Sequence, residues 1–543
     1  MPMTTLSAWL QRSVPTLSTW ILRSEVAGWA LSALVLLLAL RTPRPSTAPE
    51  APPRHPWRAP LLVALLALAT RLLVCWRFLD AWFYADENFA GCIEPAEFLL
   101  REPISLGSFY FSYIAYLGAY HVFGFAPVVP RLVHILAVAV AGALLYATVR
   151  RAVGSRGAWL AALWYVAAAP FFIHALYAIQ LGLSLLPVAA LVWVLSFRSL
   201  GPWHGLAVGP LLVVSLYVYP AAFLAGVSLL AVHGLLHWER WRWSGRLTAA
   251  VGLAGGAAAA VAIRWYYTGA FEATHWGNGS LTLVESPVAM RVILADTIWR
   301  STSFDAVNLG APYLDPALDG FVLVGVAAGW RVRDAGWRWA LTGALAFVIT
   351  LILASMGGPY PGIRRAFPAF LLLALPLGRG AFEAARRMPR PIAAAVLTAT
   401  FGLVAWQSAR VVRSWPRFGE PDFVAGARAL LTSDDMTGRD VVVVGEQADL
   451  YAGKAWRCAL VLDERLQPRL GQIVTVLRAE LPRRQGLARG PVVVLASAPL
   501  APEDLHTAFG RDPVRTVYRT PNDPSNFARL GVAYVFDGRA EAP

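Results

Sequence analysis

The chain has 543 residues, 57% hydrophobic and 15% charged, and its mean hydropathy of +0.53 excludes an ordinary soluble domain in favour of a polytopic membrane protein. The formal charge of +14 comes almost wholly from arginine, Lys454 being the only lysine. No soluble stretch interleaves basic with aromatic residues, which argues against nucleic acid as a partner.

The first apolar run, residues 29–40, is followed directly by Arg41 and Arg44. A cleavable signal peptide needs small neutral residues there, so the run reads as a membrane or interfacial helix. Residues 42–60 are rich in Pro, Ala and Arg and read as a linker. Further apolar runs occupy 61–79, 132–149, 158–172, 181–197, 206–219, 221–236, 247–263, 321–330, 339–355, 366–377 and 392–406. A spanning helix needs about 20 apolar residues, or fewer with snorkelling flanks, so the runs predict about 11 to 13 membrane helices.

Arginines gather in alternate linkers, at 54–58, 150–156, 198, 240–246, 331–338 and 386–390. The positive-inside rule makes that set cytoplasmic. The bookkeeping closes if residues 109–125, rich in Phe, Tyr and His, do not span but form an amphipathic helix on the outer surface. The outer face then holds the loops 80–130 and 264–320, the turns near 174–180, 217–221 and 356–365, and everything after 406. Residues 1–60 form an N-terminal helix and linker, and 61–412 a membrane module.

Beyond residue 413 the composition becomes soluble. Residues 441–444 and 492–495 are continuous β-branched runs expected as buried strands, with shorter strands at 514–518 and 532–536. Residues 471–481 place Ile473, Val476, Leu477 and Leu481 at helical spacing and predict an amphipathic helix. The whole reads as a small exoplasmic or periplasmic α/β domain. Val444-Gly445-Glu446 carries a single glycine, so no phosphate-cradling fingerprint follows the first strand.

Cys75, Cys92 and Cys458 make no metal spacing. Their odd count favours free thiols, although Cys92 and Cys458 could pair if both face an oxidising compartment.

Chemistry, if present, faces outward. Asp86 and Glu87 stand just past the run 61–79, with Tyr84 beside them. Acids at the mouth of a membrane bundle point to function, since charges are costly in lipid; as a local pattern they also read as a solvated helix end. A carboxylate there could accept an acceptor's proton while a phosphate leaves. Two carboxylates are also compatible with a divalent cation, though no other residue calls for one. Arg364 and Arg365 sit at an outer helix end, where paired guanidinia bind phosphate or anchor headgroups. Arg131 begins another span and has the same two readings. His174, Tyr177 and Gln180, and Tyr217 and Tyr219, mark outer turns that could line a sugar pocket or belong to an aromatic belt. His275 and Trp276 lie in the second long loop, where a Trp suits stacking on a pyranose ring.

The order of these features resembles the membrane-embedded GT-C glycosyltransferases, in particular the branch of protein O-mannosyltransferases and bacterial aminoarabinose transferases. The resemblance rests on the first helix followed by Asp86-Glu87, an outer interfacial helix and Arg131. It rests also on the turn Ser215-Leu-Tyr217-Val-Tyr219-Pro220, and on Arg364-Arg-Ala-Phe-Pro368 leading into an apolar run. It covers roughly residues 61–406. It implies sugar transfer from a polyprenyl-phosphate donor in the cell (inner) membrane, with Asp86 as base beside Glu87 and the outer arginines on the phosphate. Where that branch has His-Pro-Pro-like residues this chain reads Arg101-Glu-Pro103, so no acceptor carries over. The rival is a transporter or flippase of lipid-linked saccharide. It would need polar groups deep in several spans, and the spans offer little beyond Arg71 and Gln180, read as lying near ends or turns.

Overall fold

The computed structural model describes residues 26–39, 56–79, 89–101, 109–176, 180–268, 314–327, 334–355, 363–414, 429–445, 458, 460–462, 471–484, 490–496, 498–518 and 532–537. The chain forms two compact units, Met1–Trp76 with His134–Trp415, and Arg77–Val133 with Pro416–Pro543.

The described helices, in chain order, begin with α1 (Val26–Ala39) and α2 (Arg58–Leu79). There follow α3 (Glu94–Leu99), α4 (Tyr110–Phe123), α5 (Val128–Ala152), α6 (Ser155–Ala167), α7 (Ala169–Leu176) and α8 (Leu181–Leu195). Next come α9 (Pro202–Val218), α10 (Pro220–Leu236), α11 (Trp243–Thr268), α12 (Pro316–Ala327) and α13 (Ala335–Ser355). A 3-10 helix, Ile363–Leu373, runs directly into α14 (Ala374–Arg387), which α15 (Arg390–Ser414) follows.

Among the described residues, five helices are long and apolar enough to cross a membrane, and the bent pair of α6 and α7 makes a sixth if it is one span. The shorter apolar helices α1, α8, α9, α10 and α12 accompany them. The expected polytopic bundle is thus present. The run 158–172, expected as one helix, is broken: α6 and α7 meet at 55°, with Ala168 extended at φ −74° and ψ 134°.

Proline causes the break. Pro170 has no N–H to give the carbonyl of Val166 four residues back, and an orphan carbonyl in an apolar interior needs another donor. Arg71 supplies it. Its Nη1 donates to Val166 O and its Nη2 to Tyr165 O, each at 3.0 Å, while the guanidinium lies 4.4 Å from the centre of the Phe172 ring. Ser408 Oγ donates to the third carbonyl, Ala167 O. Arg71 is fully buried inside α2, not near an end or turn. Its charge is tolerated because it is bound to the broken helix.

Close packing elsewhere uses glycine. A Cβ on Gly209 of α9 would fall 1.7 Å from Gly252 O of α11, so these helices touch backbone to backbone. On α14, Glu383 is fully buried and lies 2.8 Å from Arg379 and 3.5 Å from both Arg386 and Arg387. Arg379 also meets Asp334 at 2.5 Å. After α10, His237 Nε2 lies 3.0 Å from Thr342 Oγ1. Thr342 donates its own proton to Arg338 O, so the imidazole is the donor to it. Burial first, then the nearby Arg240, depress the His237 pKa to about 4.

The second unit is built on a five-stranded sheet, β1 (Asp440–Gly445), β2 (Ile473–Leu477), β3 (Val492–Ala496), β4 (Arg515–Tyr518) and β5 (Val532–Phe536), in the order β2-β1-β3-β5-β4. β1 runs parallel to β2 and β3, with Val441 opposite Ile473 and Val493, while β5 is antiparallel to both β3 and β4. The strands expected near 441–444, 492–495, 514–518 and 532–536 are therefore present. The expected helix over 471–481 is not. Its first half is the strand β2, and a 3-10 helix, Arg478–Arg483, follows. The β-branched run Ile473-Val-Thr-Val completes the parallel ladder beside β1, and sheet pairing overrides the apparent helical spacing.

A central strand with both faces buried requires a layer on each side. Val442 and Val444 face Leu505, Ala508 and Phe509 of α16 (Pro502–Phe509). Val441 and Val443 face a core that includes Cys92, Ile93, Ala96, Tyr116 and Tyr120. The second covering layer therefore comes from α3 and α4, more than 300 positions earlier in the sequence. Within the segment 109–125, expected as an amphipathic surface helix, the 14-residue α4 packs its tyrosine face against the sheet. The opposite side, with Ile114, Val122 and Phe123, remains exposed.

Candidate functional site

Asp86, Glu87 and Tyr84 lie outside the described residues, and the chain on either side of them is fixed within the second unit. Upstream, Arg131 is buried and its Nη1 donates to Phe78 O at 2.9 Å and Leu79 O at 3.2 Å. These are the last carbonyls of α2, which a helix leaves without internal partners. The two sequence readings for Arg131 are phosphate ligand and headgroup anchor; the described contacts are instead those of a helix cap.

Downstream, three fastenings fall on consecutive short steps. The Tyr120 hydroxyl donates to Gly91 O at 2.5 Å. Cys92 is disulfide-bonded to Cys458, with Cα atoms 5.6 Å apart, which corrects the expectation of free thiols at these two positions. The Tyr113 hydroxyl donates to Glu94 Oε2 at 2.7 Å. Burial, followed by the Glu94 charge, holds the Tyr113 phenol well above its usual range, so it stays protonated and remains the donor.

Glu94 and Glu97 are buried. The clamp was partly legible. Tyr110, Tyr113, Tyr116 and Tyr120 recur at helical spacing, and the structure buries all four. Phe98 of α3 packs on two of them, with ring centres 5.8 Å from Tyr110 and 5.7 Å from Tyr113.

In the first unit, Arg364 and Arg365 belong to the 3-10 helix Ile363–Leu373; their side chains lie outside the description. His174 is fully buried at the end of α7, its ring 4.1 Å from Phe367 of that 3-10 helix. His134 Nδ1 stands 3.5 Å from His174 O. The structure therefore brings His174 to the backbone segment that carries the arginine pair. Tyr217 is buried and its hydroxyl donates to Ala260 O of α11. Tyr219 is the extended hinge between α9 and α10, with φ −166° and its N–H bonded to Ser215 O at 3.0 Å. Tyr177, His275 and Trp276 lie outside the described residues. Among the described residues, no three His, Cys, Asp or Glu side chains gather as a metal site.

This chain has the fold of the GT-C membrane glycosyltransferases. No family model and no curated relative matches the sequence. The crystal structure of ArnT from Cupriavidus metallidurans in the apo state aligns with a TM-score of 0.52 at 12% identity, covering 88% of this chain and 97% of that one. The ArnT structure bound to undecaprenyl phosphate aligns with a TM-score of 0.50 at 14% identity over the same shares of 88% and 97%. The mycobacterial arabinofuranosyltransferase AftD aligns at 0.50 and 15% identity, covering 92% of this chain but 41% of that one.

Proposed function

We propose that this protein is an integral membrane glycosyltransferase that moves a sugar from a polyprenyl-phosphate-linked donor to an acceptor at the outer face of the cell membrane. The observation that carries the reading is the end-to-end fold likeness to ArnT, one structure of which holds undecaprenyl phosphate. In this reading Asp86 takes the acceptor's proton, Glu87 assists it, and Arg364 and Arg365 neutralise the departing phosphate. Arg131 holds the end of α2 so that Asp86 starts from a fixed point. His174, with Tyr84, Tyr177, Tyr219, His275 and Trp276, belongs to the sugar or acceptor side of the site.

The disulfide supports the outward assignment, because such bonds persist in oxidising compartments, and this one joins the first long loop to the C-terminal segment. A flippase of lipid-linked saccharide is the competing reading, and the broken span with its buried Arg71 is the feature that favours it. Arg71 donates to the carbonyls of the break itself, which accounts for the charge without a cargo. The test is to incubate the purified protein with radiolabelled polyprenyl-phosphate sugars and a mixture of envelope acceptors. Sugar consumption is expected; vectorial movement of intact donor across vesicles, with no sugar released, would establish the flippase instead.

A further inference from the structure

Gln180 carries two separate costs. It is one of two described non-glycine residues with positive φ, at 67°, a left-handed conformation that disfavours a residue with a Cβ by about 1–2 kcal/mol. It is also 97% buried, at 3% exposure, and its Nε2 has no hydrogen-bond partner. A buried amide donor without an acceptor costs about 1–3 kcal/mol. Strain and an orphaned donor on one residue point to a ligand that the donor serves.

Position narrows the ligand's chemistry. Gln180 is the residue immediately ahead of α8, a helix of 15 residues, and no side chain caps that N-terminus. The first-turn N–H groups and the positive end of the helix dipole favour an anion there. Gly182, the second residue of α8, allows the turn to close: a Cβ on it would meet His174 O at 2.4 Å and His134 Nδ1 at 3.0 Å. The His174 ring in turn lies 4.1 Å from that of Phe367, tilted by 51°, two residues beyond Arg365.

We infer that the Gln180 side-chain amide and the N-terminus of α8 form a phosphate-binding site next to the segment carrying Arg364 and Arg365. The ligand is a lipid-borne phosphate monoester or diester; this assignment rests on the glycosyltransferase reading for naming a polyprenyl phosphate, and on the side chain and helix end alone for naming a phosphate. The amide donates one hydrogen bond to a non-bridging oxygen and the helix N–H groups share the charge. No covalent step is assigned to it.

Glycine separates this role from a backbone one. Gln180→Gly keeps the left-handed conformation at no steric cost and removes the amide, whereas Gln180→Asn tolerates the conformation and retains a shorter amide. Binding of undecaprenyl phosphate and of phosphatidylglycerol to the purified full-length protein is measured alongside the melting temperature without ligand. Gln180→Gly should melt at or above the wild-type temperature and bind undecaprenyl phosphate about tenfold more weakly, the effect of about 1.4 kcal/mol for one charge-assisted bond. Gln180→Asn should fall between the two. An equal loss for phosphatidylglycerol would keep the phosphate site and name a bilayer phospholipid as its source. Wild-type affinity for both lipids in Gln180→Gly would overturn the proposal. Absence of sugar transfer by the wild type, with lipid affinity still dependent on Gln180, would sink the glycosyltransferase reading and leave the site standing.

Discussion

Cys92 and Cys458 stand 366 positions apart in the sequence and are joined by a disulfide. The bond lies in one hydrophobic core with Ile93, Tyr116, Val441 and Val493, so it reinforces a packing that apolar burial already favours. Closing so long a loop restricts the unfolded chain strongly, and loss of such a bond typically costs about 2–5 kcal/mol. Reductant should therefore lower the melting temperature of the wild-type protein in detergent, and Cys92→Ser, Cys458→Ser should lower it equally and abolish the response to reductant. A double variant that melts with the wild type would show that the core alone sets the stability of this unit.

The pairing also indicates what a single sequence can disclose. Val441-Val-Val-Val444 is legible as a buried parallel strand because its continuous β-branched run fits no half-exposed element. What covers that strand is not legible, since the covering helices α3 and α4 are encoded between α2 and α5, more than 300 positions earlier, and their tyrosine stripe suits a lipid interface equally well. The helical spacing within 471–481 misleads for a related reason: Ile473, Val476 and Leu477 satisfy two periodicities, and only the neighbouring strand β1 selects between them. Gln180 is legible as an outer-turn residue but not as a phosphate ligand, because its left-handed backbone and orphaned amide exist only in three dimensions.

Tyr113 and Glu94 should be energetically coupled. A hydrogen bond to a buried carboxylate contributes about 1.5–3 kcal/mol, and the Tyr113→Phe change removes one at constant ring volume. Its cost should fall in that range in wild type and shrink in a Glu94→Gln background, where the acceptor is neutral. Urea or thermal unfolding of the four members of the cycle measures the coupling, and a coupling of zero would mean that the phenol contributes by packing alone.

Arg71 should be replaceable by neither Leu nor Lys. Leucine fills part of the volume but leaves Tyr165 O and Val166 O without the guanidinium donors, a loss of about 1–3 kcal/mol for each carbonyl. Lysine reaches with one ammonium where the guanidinium spans two carbonyls in a fork, so it should recover part of the loss. Melting temperatures ranked wild type, then Arg71→Lys, then Arg71→Leu would bear this out; Arg71→Leu as stable as wild type would show that the break at Pro170 is satisfied by other means.

His237 predicts a pH response. Its pKa in the folded protein, about 4, lies below the ordinary histidine value of 6.5, so the unfolded chain binds the proton first. The contribution is present above about pH 6.5 and is lost as the pH falls toward 4. Thermal stability should decline across that window, and His237→Gln, which keeps a donor toward Thr342 but cannot charge, should flatten the decline. An identical slope in the variant would assign the acid sensitivity to other groups.

Asp86→Asn is the sharpest test of the proposed chemistry. The asparagine is nearly isosteric and cannot accept a proton at neutral pH, and general-base assistance is worth about 10²–10⁴ in rate. Sugar transfer should fall by that factor while expression, membrane insertion and the melting temperature stay at wild-type values. Binding of undecaprenyl phosphate should also persist, because the phosphate is assigned to Arg364, Arg365 and the end of α8. The Arg364→Ala, Arg365→Ala double variant should show the converse, a raised KM for the lipid donor with the base intact. Full transfer by Asp86→Asn would remove Asp86 from the reaction, whatever the fate of the arginines.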